Sequence, residues 1–118
     1  MTRSDHPIAV APQPGLVRVV VAGTVVAESR AALALQEAGY PPVLYLPRGD
    51  VLAAHLRPSA RRSHCPHKGE ARYHDLVVGE TVRRDAAWSY ETPLPAVRAI
   101  AGHLAFYPER VDAITREP

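Results

Sequence analysis

Twelve of the 118 residues are proline, about double the usual share of roughly 5%, and they recur from Pro7 to Pro118. Proline lacks a backbone N–H and fixes φ, so it breaks a helix interior and interrupts the ladder of a central strand. A chain punctuated this often is expected to fold as short strands joined by many turns. Its length gives one core, burying roughly two-thirds of the unfolded surface, and so one domain. Hydrophobic residues at 47% against charged residues at 22% mark a globular chain and argue against wholesale disorder.

Local patterns supply the elements. Residues 1–15 hold three prolines and no hydrophobic period, and are expected as a flexible arm. The domain is read over residues 16–114, with 115–118 as a frayed tail. "LVRVVVAGTVVAES" carries β-branched residues on both sides of Ala22-Gly23, which predicts two strands and a tight turn. Ser29 is placed to cap a short helix over "RAALALQEAG", closed by Gly39. "PPVLYLP" predicts a short strand, and Asp50 is placed to cap a helical turn carrying His55. "ARRSHC" and "EARYHDLVV" predict a hairpin around a "PHKG" turn. Two further strands are expected either side of Asp85, then a short helix from Pro95 and an aromatic strand in "HLAFYPERVDAI". The fold class is α+β, predominantly antiparallel β, with about seven strands and two short helices.

A net charge of +2, with Arg61-Arg62 and Arg83-Arg84 the clustered pairs, does not make the basic face that nucleic acid requires. No apolar run approaches the roughly 20 residues that span a bilayer, and the N-terminus lacks the apolar segment of a secretory signal. One cysteine cannot form an internal disulfide, which fits a reducing compartment. A cytoplasmic protein without membrane or nucleic-acid partners is the expectation.

The chemistry concentrates in "RRSHCPHKGEARYHDLVV", residues 61–78, which holds the single cysteine and three of the six histidines. A structural zinc site needs four convergent ligands. His64, Cys65, His67 and His74 do not supply them on a regular hairpin, because strand neighbours face opposite ways; no metal is expected. Cys65 reads either as a small packed hydrophobe or as a nucleophile activated by Arg61, Arg62, His67 or Lys68. Lys68, beside Gly69 at a turn, reads either as solvated or as the holder of an anionic group. Cys65 and Lys68 are thus the catalytic candidates.

Three blocks carry a family resemblance: Cys65, Pro66, Lys68, Gly69, Ala71 and Tyr73; Ala87, Trp88 and Tyr90; Ala105, Phe106 and Tyr107. In combination, from about Val17 to Asp112, the chain resembles the bacterial and fungal family designated domain of unknown function 427. The resemblance implies a compact β-tent-like sheet or half-barrel with no established activity. Related tent-like folds carry zinc on paired Cys-x-x-Cys knuckles, which this chain lacks. Members with two copies in one chain imply pairing of a single copy as a homodimer.

Ser63, Cys65, Lys68, Tyr73, Trp88, Tyr90 and Tyr107 are the expected ligand-binding residues, since tyrosine and tryptophan join an apolar body to a hydrogen-bonding tip. The expected ligand is a small anionic or amphipathic molecule, bound or turned over; the cofactor is unknown. The same aromatics also suit the plain core of a small β domain. The alternative function is a non-catalytic interaction or structural domain acting as a homodimer.

Overall fold

Alternation from Val17 to Val21 organises one half of the fold: Val17, Val19 and Val21 are fully buried while Arg18 and Val20 stay partly exposed. The computed structural model describes residues 7–118. Its strands are β1 (Ile8–Pro12), β2 (Leu16–Val21), β3 (Thr24–Ser29), β4 (Leu33–Glu37), β5 (Val43–Tyr45), β6 (Leu56–Cys65), β7 (Gly69–Val78), β8 (Thr81–Ser89), β9 (Leu104–Phe106) and β10 (Ala113–Glu117). All pairings are antiparallel. They form three open sheets, ordered β1-β4-β5, β10-β2-β3 and β6-β7-β8-β9. The helical content among the described residues is four short 3-10 segments, so antiparallel β dominates even more than expected.

The four-stranded sheet is the middle layer, and β9 shows why. Its three residues are all buried, and they alternate between two cores. Leu104 and Phe106 join Leu76 and Ala87 against Val17, Val19, Val21 and Val26 of the β10-β2-β3 sheet. Ala105 joins Ala71, Tyr73 and Tyr90 against Leu35 and Tyr45 of the β1-β4-β5 sheet, with Val97 and Ile100 from the 3-10 segment Pro95–Ile100. Each fully buried aliphatic side chain contributes about 1.5–3 kcal/mol of transfer free energy. The layers are stitched at one edge, where Leu46 and Leu104 exchange two backbone hydrogen bonds of 2.8 Å.

Several expectations need correction. The segment read as a capped helix is strand β4. Leu33, Leu35 and Glu37 alternate along it, Leu35 is 1% exposed, and β1 and β5 pair on its two sides; two flanking ladders outweigh the helix propensity of alanine and leucine. Ser29 accepts from the Ala31 N–H at 3.0 Å, a bend rather than a helix cap, and donates to Asp50 at 2.6 Å. Asp50 is thereby engaged and does not cap the 3-10 turn Ala53–His55. The predicted arm contains β1, whose partner β4 was hidden by the helix reading, while residues 1–6 lie outside the described residues. The predicted tail belongs to β10, with Thr115, Arg116 and Glu117 opposite Arg18, Val17 and Leu16. The two strands expected around Asp85 are one, β8, in which Asp85 sits at φ 51° inside an irregular register opposite Asp75. That irregularity is a β-bulge, which bends a strand without ending it.

The hairpin over the opening of the site forms as read. Cys65 faces Gly69 across residues 66–68, and Gly69 adopts φ 116°, a backbone region that side-chain-bearing residues rarely enter. Pro58 and the arginines of β6 fall on the edge strand of the four-stranded sheet, the position to which proline is confined within sheets and where charge discourages edge pairing.

Candidate functional site

A cleft of about 730 Å³ opens between the β1-β4-β5 sheet and the middle sheet. Leu35 and Glu37 of β4, and Val43 and Tyr45 of β5, form one wall. Tyr73 of β7 and Trp88 of β8 face them, with Lys68, Tyr90 and Tyr107 from the flanking turns. Tyr73 and Trp88 lie on one face because they are a cross-strand pair. Five of the seven residues expected to bind a ligand, Lys68, Tyr73, Trp88, Tyr90 and Tyr107, therefore line one space. Ser63 and Cys65 stand behind it: Ser63 Oγ shares a 2.8 Å hydrogen bond with the Tyr73 hydroxyl, and Cys65 packs, partly buried, against the core beneath.

The aromatic wall is continuous. Trp88 and Tyr107 meet at 4.4 Å between ring centroids, and Tyr107 lies nearly parallel to Tyr73 at 6.5 Å. Trp88 Nε1 donates to the Tyr45 hydroxyl at 3.3 Å, with the two rings edge-on at 85°. Burial raises the Tyr45 and Tyr90 phenols well above their usual range, and burial with the neighbouring Tyr73 hydroxyl pushes Tyr107 up to about 12. These hydroxyls stay protonated at neutral pH, as hydrogen-bonding tips on apolar walls.

Lys68 is the clearest departure from the sequence reading. It is neither a solvated turn residue nor an unpaired cation, because its ammonium meets Glu37 Oε1 at 2.5 Å, with the two side chains only 11% and 18% exposed. Its backbone is tied as well, its carbonyl accepting from the Leu94 N–H at 2.9 Å. Glu37 escaped notice because a helix reading scatters Leu33, Leu35 and Glu37, whereas strand alternation aligns them. Three of the four cations expected to activate Cys65 are committed elsewhere: Lys68 to Glu37, Arg61 to the Tyr73 ring, and Arg62 to the carbonyls of Ser59 and Arg61.

The histidines do not converge. His64 and His67 are exposed and His74 is buried, and no group of three His, Cys, Asp or Glu side chains suited to a metal occurs among the described residues. His74 faces away from the cleft, since its strand neighbour Tyr73 faces into it. Its Nδ1 is buried without a hydrogen-bond partner. Burial, and then the Arg48 charge, lower its pKa from the ordinary histidine value. Below about pH 6.5 the unfolded chain therefore binds a proton at this position that the folded chain resists, so stability falls as pH drops through that window. Urea midpoints between pH 7.5 and 5 should decline for the native sequence and flatten for His74→Gln; equal slopes would remove His74 as the cause.

Fold and cleft together define the class: an antiparallel β domain of three open sheets with a tyrosine- and tryptophan-lined cleft between two of them. The chain belongs to the family described as Domain of unknown function (DUF427), whose model matches residues 9–117. No curated protein matches the chain.

Proposed function

We propose that the aromatic cleft is a binding site for a small amphipathic molecule. The observation that carries this reading is that part-exposed Trp88 and Tyr107, together with Tyr73 and Tyr90 at the surface of the second core, border an open space of about 730 Å³. That volume lies within the roughly 300–1,000 Å³ of small-molecule sites, and its apolar walls with a few polar tips are the usual composition of one. Lys68 paired with Glu37 offers a polar end that can accept or donate hydrogen bonds. Catalysis by Lys68 or Cys65 would require the ammonium to leave Glu37, or a substrate to reach a thiol packed behind the wall, so binding is the simpler reading. At the outer strand β6 edge-to-edge pairing of two copies is disfavoured, because it carries Pro58, Arg57, Arg61 and Arg62, residues that blunt strand-to-strand association.

Native mass spectrometry of the protein as isolated is expected to show a retained small molecule. Titration with 1-naphthol should shift the indole N–H resonance of Trp88, the chain's only tryptophan. A protein that carries nothing and whose Trp88 signal ignores 1-naphthol would rule the cleft out as a binding site.

A further inference from the structure

Two guanidiniums stack on tyrosines of the aromatic wall, beside the residues that line the cleft itself. Arg61 Cζ is 4.5 Å from the centroid of the Tyr73 ring and Arg110 Cζ is 5.0 Å from that of Tyr107, and those rings are within 9° of parallel. One residue gathers both cations. Asp85 accepts from Arg110 Nη1 at its backbone carbonyl, 3.0 Å, and its carboxylate lies 3.9 Å from Arg61 Nη1. Asp85 is itself fixed at the β8 bulge: its N–H donates to the buried Asp75 carboxylate at 2.8 Å, and its Oδ1 accepts from Ser59 at 2.6 Å.

One guanidinium at this end of the wall lacks a carboxylate partner among the described residues. Asp75 is taken by Arg57 at 3.1 Å, and Asp85 is shared loosely with Arg61. Arg110 has only the carbonyls of Arg84 and Asp85 as partners, at 3.4 and 3.0 Å, and no carboxylate within ion-pair distance among the described residues. Glu109, exposed on the cleft lining next to Arg110, makes no ion pair with it. Lys68 contributes no excess charge, since Glu37 neutralises it.

The geometry points to an anion subsite at Arg61 and Arg110, which bind the carboxylate or phosphate head of the amphipathic molecule whose apolar body lies in the cleft. This rests on the cleft being a binding site, and it moves the anion-holding role from Lys68 to two arginines. Guanidinium suits the task because its planar fork presents paired donors to a carboxylate or phosphate while its face remains stacked on an aromatic ring. The Asp75–Asp85 bulge holds the Arg110 fork through the Asp85 carbonyl and keeps the Asp85 carboxylate 3.9 Å from Arg61, which lowers the ordering that binding requires. Asp85 is thus a positioning residue, acting through Arg61 and Arg110.

Three probes with one body and different heads test this by calorimetric titration: 1-naphthol, 1-naphthoate and 1-naphthyl phosphate. Both anions are expected to bind the native protein at least about tenfold more tightly than 1-naphthol, the magnitude of one charge-assisted contact. Arg110→Gln and, separately, Arg61→Gln should each erase about that factor for the anions and leave 1-naphthol unchanged; Arg110→Lys should recover part of it. The anion that loses more on Arg110→Gln identifies the head group the site fits. Equal affinity for all three probes in the native protein would overturn the subsite while leaving the cleft standing. So would an equal loss for all three in both Gln variants, which would make the arginines supports of the wall. Silence of all three probes would instead remove the cleft on which the subsite rests.

Discussion

Glu37→Leu is expected to destabilise the protein by about 3 kcal/mol, because it leaves the Lys68 ammonium nearly buried with no carboxylate to offset its desolvation. The pair is close, 2.5 Å, and neither member is more than 18% exposed, so solvent screening gives little relief. The double variant Glu37→Leu/Lys68→Met should recover most of that loss. It replaces a buried pair by apolar stems of similar reach, an exchange that is often close to neutral. Urea unfolding of the native, two single and double variants forms a cycle whose interaction energy isolates the pair. A Glu37→Leu protein that unfolds with the native midpoint would show that Lys68 reaches water after all. From the sequence alone, Lys68→Met reads as neutral to stability, a turn lysine losing its charge. With Glu37 beside it, that single change removes a cation from a carboxylate in a poorly hydrated place, and a cost is expected.

Gly15→Val is expected to be about as damaging, roughly 3 kcal/mol, by a different mechanism. Gly15 adopts φ 84°, and any Cβ placed there would overlap the backbone carbonyl of Glu117. Backbone cannot rotate away as a side-chain tip can, so either Gly15 changes conformation or β10 leaves β2. Ile114 would then lose its place against the first core. Hydrogen exchange should show the loss confined first to Ala113–Glu117 and to β2, with the middle sheet retaining protection. A Gly15→Val protein within about 0.5 kcal/mol of native, the range of ordinary surface changes, would mean that β10 is not docked as described.

The two termini show where sequence reading stops. Ile8–Pro12 is a short apolar run set among prolines, and Thr115–Glu117 is polar and charged, so they read as arm and tail. Each becomes a strand because a specific partner, β4 or β2, presents an unpaired edge to it. Leu33-Ala34-Leu35 is ambiguous for the complementary reason. Its pattern serves a helix or a strand equally, and the choice falls to the ladders available on either side. The β2-β3 hairpin needed no such help, since Val17, Val19 and Val21 alternate with partly exposed residues and Ala22-Gly23 supplies the turn with φ 51° and 76°.

What the chain determined by itself is therefore local: short antiparallel strands from proline spacing and β-branched alternation, the turn before Gly69, and the aromatic motifs of one family. Those motifs also placed Tyr73, Trp88, Tyr90 and Tyr107 under suspicion together, and the structure sets them along one cleft. Only the tertiary structure decided which charges surround them. Glu37 meets Lys68 across 31 residues, and Asp85 draws Arg61 and Arg110 onto the same tyrosine pair from β6 and the β9-β10 connection. Charge pairing carries no periodic signature in a sequence. It depends on distances of a few ångströms between segments, and these exist only once the three sheets have packed.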